Sequence, residues 1–361
     1  MNKFDMLKQN TIMKRTLTFK TLLTAFIFLS ISGYSQEQKS YKVACMAFYN
    51  LENLFDYQDD PTIRDEEYMP DGSKAWDSTK YNMKLNHMAR VIADIGTKYT
   101  PDGAAVLGVC EVENKGVLED LVLDPQIKKR DYKIVHFDSP DWRGIDVGLL
   151  YQEKYFKFKN AEKYAVHFPD SPDKRTRDQL VVSGVMDGEE VNIIVAHWPS
   201  RSGGAAASQP NRIEAGKVGR RIVDSLMMVN PGAKIIYMGD LNDDPGNVSV
   251  TDHLKGKGKK KKLVEGDLYN TMWDLAKSGT GSLAYRDAWN LFDQILVSQS
   301  LISEDEKNYV LHKAEVFKES YMVNQEGNYK GYPLRTHAGG SYQNGYSDHF
   351  PTYIILKKLA K

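Results

Sequence analysis

The chain has 361 residues, and its 48 Lys and Arg are balanced by 48 Asp and Glu, so nothing in the overall charge pulls it toward a polyanion. Cys45 and Cys110 are the two cysteines; they permit one disulfide but exclude a disulfide scaffold or a Cys-rich zinc site. Both lie in apolar runs, so a pair of buried free thiols is the equal alternative.

The first recognisable segment is KRTLTFKTLLTAFIFLSISGYS, residues 14 to 35. It begins basic, passes through an apolar stretch of about a dozen residues and ends on Gly33 and Ser35, the layout of an export signal that is too short for a membrane span. Cleavage is expected near Ser35, and with no Cys there a lipid anchor is not. Setting residues 1–35 aside leaves 43 Lys and Arg against 47 Asp and Glu. The expectation is therefore a mildly acidic, exported protein, periplasmic or secreted, with residues 36–361 forming a single domain and no stable membrane insertion. A monomer is expected.

No internal repeat is present. In chain order, VACMAFYN is a short apolar run ending at Asn50, and residues 57–82, polar and turn-rich, read as a long surface loop. In KLNHMARVIADI, residues 84–95, Leu85, Met88, Ala89 and Ile92 share one face of an amphipathic helix. AAVLGVCE then ends at Glu111. DVGLLY begins at Asp146 and RDQLVV at Arg177. The turn MDGEE, residues 186–190, has the residues of a hairpin and leads into VNIIVAH, which ends at His197. A second helix is expected from Asn211 to about Met228, with Ile213, Val218, Ile222 and Leu226 inward. KIIYMGDLN ends at Asp240 and Asn242. The Gly-broken basic run at 255–262 reads as a solvated loop in preference to a phosphate-backbone contact. DQILVS begins at Asp293, and DHFPTYIIL begins at Asp348 and His349.

Four buried-looking strands thus end in a chemically useful residue and four begin with one. If these residues gather at one edge, four strands run toward it and four away, so the sheets are mixed or antiparallel and a purely parallel doubly wound fold is excluded. The first two incoming strands, separated by a helix, can be parallel neighbours. Two sheets packed face to face, with helices on their outer faces, would accommodate the set.

Oxygen donors without thiolates suit a hard cation, Mg²⁺ with Mn²⁺ or Ca²⁺ as alternatives. A carboxylate bonded to each of His197 and His349 would fix its tautomer and raise its pKa. Together these groups suit phosphodiester hydrolysis, which needs a metal and a cation for the pentacovalent transition state, a carboxylate for water and an imidazolium for an oxygen. Each short motif is weak alone; the signal is their order and shared position at strand ends.

In that order the chain resembles the endonuclease/exonuclease/phosphatase superfamily over roughly residues 42–357. AFYNLENLFD, LGVCEVEN, VAHWPSR, GDLND and FDQILVS followed by YSDH carry the resemblance. It implies the deoxyribonuclease-like fold, a four-layer α/β/β/α sandwich of two mixed, largely antiparallel sheets. It also implies metal binding by Asn50, Glu111 and Asp348, and catalysis by His197, Asp240, Asp293 and His349. Asn242 would orient the phosphate. Glu52 falls where abasic-site members are acidic, and Cys110 replaces the usual Gln before the metal-binding Glu. Two weaker matches would pair Asp146 with His197 and set Arg177 beside the scissile phosphate, with Arg175 competing for that role.

The expected function is a metal-dependent phosphodiester hydrolase acting on nucleic acid or another phosphodiester, most simply an endonuclease of relaxed specificity. A phosphomonoesterase or lipid phosphodiesterase of the same superfamily is the alternative. A membrane-seeking, aromatic-rich hairpin is not evident in the sequence, which counts against a sphingomyelinase. A non-catalytic binding module would show gaps in the residue set, and none is found apart from Cys110. Arg201 and Arg212 read as parts of a surface loop, and His87 and His136 as ordinary surface or boundary histidines.

Overall fold

Short apolar strands that alternate between two buried faces dominate the structure, a computed structural model describing residues 39–360. Tyr41–Leu359 pack as one unit. The first large sheet contains β1 (Tyr41–Leu54), β2 (Ala104–Val112), β3 (Tyr132–His136), β4 (Asp146–Gln152), β14 (Val310–Val316) and β17 (Thr352–Leu359), in the order β14-β17-β1-β2-β4-β3. The second contains β5 (Lys157–Tyr164), β6 (Gln179–Met186), β7 (Glu189–His197), β8 (Lys234–Asp240), β9 (Gly256–Lys257), β10 (Leu268–Asn270) and β13 (Asp293–Ser298), in the order β5-β6-β7-β8-β13-β10-β9. Two hairpins lie outside them, β11 (Leu283–Tyr285) with β12 (Ala288–Asn290), and β15 (His337–Ala338) with β16 (Ser341–Tyr342).

Strand direction follows the sequence reading. The incoming strands β1 and β2 are parallel neighbours, as are β7 and β8, while β17, β4, β6 and β13 each run antiparallel to an incoming strand. Asp187 and Gly188 form a two-residue turn, both with positive φ, which matches the twist of β6 and β7 and fixes their register at Met186 opposite Glu189.

Three apolar layers hold the unit together. Met46, Phe48, Val106, Val195 and Met238 fill the space between the sheets. The outer face of the first sheet packs on α1 (Ser78–Asp94) and α2 (Lys115–Val122), and that of the second on α3 (Ala205–Val229). The result is the expected four-layer α/β/β/α sandwich. Cys45 belongs to the helix-side core and Cys110 to the core between the sheets, so they sit on opposite faces of one sheet and both are free thiols.

Several boundaries differ from the sequence reading. α1 begins at Ser78 because Asp77 caps it, accepting from the Lys80 amide. α3 begins at Ala205, so the small-residue stretch before Asn211 is its first turns. Pro210 removes one helical hydrogen bond there, and the Arg212 guanidinium donates to the Ala205 carbonyl. The polar loop after β1 is anchored rather than free: Trp76 is fully buried and donates to the Phe55 carbonyl, and Tyr68 stacks on Phe55 at 4.3 Å.

The Lys-rich run borders β9 and β10. Leu268 of β10 pairs with Ser298, at the end of β13 away from Asp293, so the run lies roughly 17 Å along the sheet from that residue. The hairpin of β11 and β12 corrects another expectation, since it exposes Tyr285 and Trp289. The export signal expected at 1–35 lies outside the described residues. Among the described residues no helix is long and apolar enough to cross a membrane.

Candidate active site

Register places the reactive groups. Asp240, the last residue of β8, stands opposite His197 on β7 and Asp293 on β13, so three functional residues lie abreast at one edge of the second sheet. Asn50 and Glu111 come from the facing edge of the first sheet, and the Asn50 amide donates to Glu111 at 3.2 Å and Asp240 at 3.1 Å. That amide joins the two sheets across the site.

The backbone is shaped for this. Glu111 sits in a bulge between β2 and β4 with φ 58°, and Glu52 and Asn53 follow Asn50 with φ 49° and 52°. Such left-handed geometry at non-glycine residues is strained and re-aims side chains at a sheet rim. Here it lets the Asn53 amide donate to Glu111 Oε2 at 3.0 Å and the Glu52 amide to Asn50 Oδ1 at 2.8 Å. Asn242, φ 49°, turns back so that its amide donates to Asp240 Oδ1. Its side chain donates to the Trp198 carbonyl.

The two histidines sit in opposite electrostatic surroundings. His349 Nδ1 lies 2.6 Å from the buried Asp293 carboxylate, and Nε2 lies 3.9 Å from Asp240. Burial alone would lower the His349 pKa; Asp293 and Asp240 outweigh it and hold the imidazolium well above the ordinary range. His197 faces Asp240 and Glu111 with Nε2 at 3.6 and 3.8 Å, but its buried Nδ1 has no hydrogen-bond partner. Burial, then the charges of Arg177, Arg143 and His349, drive the His197 pKa well below normal. The expected carboxylate partner therefore exists for His349 and not for His197. Asp240 is pushed up to about 7, chiefly by burial and with help from Asp293, while the His349 charge opposes the rise.

Three other sequence-derived residues sit differently from expectation. Asp146 does not reach His197; its carboxylate takes His136 Nε2 at 3.0 Å and the Ser139 amide at 2.7 Å. β3 lies beside β4 with His136 opposite Gly148, so the Asp146 side chain leaves toward that neighbour. Arg177 is 3% exposed, bonded to Asp141 and to the Trp198 carbonyl, and braces the segment after His197 instead of facing a phosphate. Asp348 accepts from Arg335 at 2.7 Å, and Arg335 also bridges to Glu52 at 3.1 Å.

Other site residues have weak sequence signals. The fully buried Lys84 on α1 donates to Thr336 and the Tyr346 carbonyl, with Nζ 3.9 Å from Glu52. A lysine on the apolar face of a helix was the available sign. Arg201 and Arg212 both bind Asp243, just beyond Asn242, so they anchor the Asp240 loop and do not simply form a surface loop. The second Asp in GDLNDD was the sign there.

Glu111, His197 and Asp240 offer ligand atoms within 4.8 Å of one another, and so do Asp240, Asp293 and His349. The Asn50 side chain borders the first group, its NH₂ donating to Glu111 and Asp240. Carboxylates brought this close repel one another, and a divalent cation accepting their oxygens would relieve that repulsion, so the donor set fits a hard metal ion. Asp348 is absent from these groups among the described residues.

Comparison with known proteins agrees. The family model described as Endonuclease/Exonuclease/phosphatase family matches residues 45–358. An endonuclease/exonuclease/phosphatase family protein from Bacteroides thetaiotaomicron superposes with a TM-score of 0.53 at 15% identity, covering 89% of this chain and 97% of that one. A mannosyl-6-phosphatase from Bacteroides thetaiotaomicron VPI-5482 gives 0.53 at 15%, covering 87% and 99%. A D. rerio TDP2 complexed with single strand DNA product gives 0.50 at 16%, covering 87% and 99%. No curated protein matches the chain. With the family model spanning nearly all of the described unit and both sheets in the expected arrangement, the chain belongs to the endonuclease/exonuclease/phosphatase family, whose members hydrolyse phosphoester bonds.

Proposed function

We propose that the protein is an exported, Mg²⁺-dependent phosphodiester hydrolase, most simply a nuclease of relaxed sequence specificity. One observation carries this reading: Asp240 stands between His197 Nε2 at 3.6 Å and His349 Nε2 at 3.9 Å, and His349 alone is bonded to a buried carboxylate, Asp293. Glu111 and Asp240, with the Asn50 amide turned oxygen-inward, would hold the ion, which when bound offsets negative charge on the phosphate oxygens. Asp240 orients water for in-line attack at phosphorus and takes its proton. His349, kept cationic by Asp293, stabilises the developing charge and can give a proton to the leaving oxygen. His197 hydrogen-bonds a phosphate oxygen without adding charge. The TDP2 structure with single strand DNA product is in keeping with a polynucleotide substrate on this fold.

A phosphomonoesterase is the second reading. A cavity of about 170 Å³ lined by Glu52, Asn53, Tyr68, Lys74, Arg335 and Thr336 adjoins Glu111 and has room for a small polar alcohol.

The test is one panel: purified protein with Mg²⁺ or EDTA against circular plasmid, single-stranded DNA, RNA, p-nitrophenyl phosphate and bis-p-nitrophenyl phosphate. Plasmid nicking that EDTA abolishes supports the nuclease. Turnover of the monoester alone would overturn it in favour of the second reading.

A further inference from the structure

Six of the eight residues at 255–262 are lysines, in a chain whose formal net charge is zero. The wording KGKGKKKK suggests a flexible loop, yet both glycines are packed. A Cβ on Gly256 would stand 2.4 Å from Leu296 Cδ2, and one on Gly258 would stand 1.9 Å from Trp273 Cδ2. Each glycine therefore serves close approach to the body of the protein. Gly256 and Lys257 pair with Leu268 and Tyr269 as β9, and the Leu268 amide donates to the Lys255 carbonyl at 3.1 Å. The buried Arg220 of α3 donates to the carbonyls of Leu254 at 3.4 Å and Gly266 at 2.7 Å, which closes the loop at its base.

What this anchored segment displays is charge. Lys260–Lys262 form one 3-10 turn, with the Lys262 amide donating to the Lys259 carbonyl at 2.9 Å, and Lys259, Lys260, Lys261 and Lys262 are all exposed. Three residues per turn put Lys259 and Lys262 on the same side. Among the described residues no carboxylate pairs with any of the six lysines. Lys257 donates to the Thr251 carbonyl, and Lys260 lies over the Tyr269 ring. Asp267 is buried, and its carboxylate accepts from the Val264 amide. Lys277, 5.4 Å from the centroid of the Trp273 ring that covers Gly258, has no carboxylate partner among the described residues either. Like charges fixed side by side build a positive potential that an anion would relieve.

We propose that the lysines of residues 255–262, with Lys277, anchor the phosphate backbone of a nucleic-acid strand whose scissile phosphate lies at the Asp240 rim. This rests on the nuclease reading above and adds a second, distal contact to it. The run stands roughly 17 Å along the sheet from Asp293, so about five nucleotide steps of ~3.4 Å separate the two. Lysine contacts to phosphate carry no base information, in keeping with relaxed specificity. A lipid-seeking segment would set its lysines beside an apolar wedge; here the exposed Val264 stands alone.

The experiment measures, in EDTA, the anisotropy of a labelled single strand of about 30 nucleotides across a NaCl series. It compares the wild type with Lys261→Gln/Lys262→Gln, which leaves Lys260 on Tyr269, and with Lys261→Arg/Lys262→Arg. Lys128→Gln/Lys129→Gln is the control, an equal loss of exposed charge near the end of β3 away from Asp146. The Gln pair at 261 and 262 should weaken binding about tenfold at about 0.1 M salt and lower the slope of log K against log salt by about 1.4, two contacts at ~0.7 each. The Arg pair should restore both, and the control should match the wild type. A Gln pair at 261 and 262 equal to the wild type in affinity and slope overturns the anchor. Equal weakening by the control overturns it too, because net charge alone would then account for the effect. Binding to phosphatidylglycerol vesicles that depends on Lys261 and Lys262, with strand binding unaffected, overturns it in favour of a lipid surface. Adding Mg²⁺ separates the two levels: a wild type that cleaves no strand sinks the nuclease reading and the anchor together, whereas cleavage with the Gln pair at 261 and 262 matching the wild type in KM sinks only the anchor.

Discussion

Asp293, fully buried on β13, receives His349 Nδ1 at 2.6 Å, and this pair favours a positive charge at the edge where Asp240 sits. Asp293→Asn removes the partner that keeps the imidazolium charged, so the alkaline limb of the pH–rate profile should move to lower pH. The His349 pKa is raised on folding, so the pair's stabilisation is complete below the unfolded histidine value of about 6.5 and is lost as pH rises through the higher native value. Chemical denaturation at pH 6 should therefore show a loss of about 3 kcal/mol in the variant, shrinking at alkaline pH. An unchanged alkaline limb would contradict the assignment.

His197 is held neutral, so its contribution should not titrate across the working range. His197→Ala is expected to lower kcat/KM by about a hundredfold or more, as for loss of a preorganised donor to a phosphoryl oxygen. His197→Gln should recover part of that loss, with the pH profile keeping its shape. A profile that lost an ionisation on this substitution would show that His197 acts as a charged group.

Divalent metal should stabilise the fold as well as support turnover. Carboxylates of Glu111 and Asp240 converge on one point, and ligand binding at about 100 times its Kd stabilises the native state by about 2.7 kcal/mol. Thermal unfolding with and without Mg²⁺ should show a rise in Tm for the wild type. The rise should be smaller in Asp240→Asn, which should also be nearly inactive. A variant that kept the full rise would remove Asp240 from the metal site.

Gly239 explains the glycine before Asp240. A Cβ there would stand 2.1 Å from the Ala196 carbonyl oxygen on β7, closer than packing permits. Gly239→Ala should push β8 from β7, lower stability by about 1–3 kcal/mol and separate Asp240 from His197. Urea unfolding and turnover should both fall. Normal turnover in a destabilised variant would show that the site tolerates the shift.

Lys84 is a buried ammonium serving Thr336, Tyr346 and Glu52. Burial lowers its pKa to about 8 while raising that of Glu52 to about 7. Lys84→Ala would leave Glu52 buried with the Thr336 amide and with Arg335, itself half exposed, and should cost about 3 kcal/mol. Denaturation curves test this, and a change below about 0.5 kcal/mol would mean that Arg335 suffices.

Much of this site is legible in the sequence, because strand ends are local features. Asn50, Glu111, His197, Asp240, Asp293 and His349 each sit where an apolar run stops or starts, and their order along the chain implied mixed sheets with one reactive edge. The Asp187–Gly188 turn and the parallel pairing of β1 with β2 follow from equally short-range signals. Asp146 met the same strand-end criterion, yet its partner is His136 on the adjacent strand.

Pairing of side chains is decided by packing between segments far apart in sequence, and no local pattern encodes it. Arg335 reaches Glu52 across 283 residues, which sets the surroundings of Asp348. Arg177 had the right type and position for a phosphate contact, but the fold closes over it. Trp289 and Phe350 lie far apart in sequence; only the return of the chain just before β17 beside the hairpin stacks them. The sequence by itself determined which chemical groups the protein owns and the rim on which they gather. Tertiary structure decided which histidine has a bonded carboxylate partner and which is buried without one, because burial and opposing charge act through space rather than along the chain.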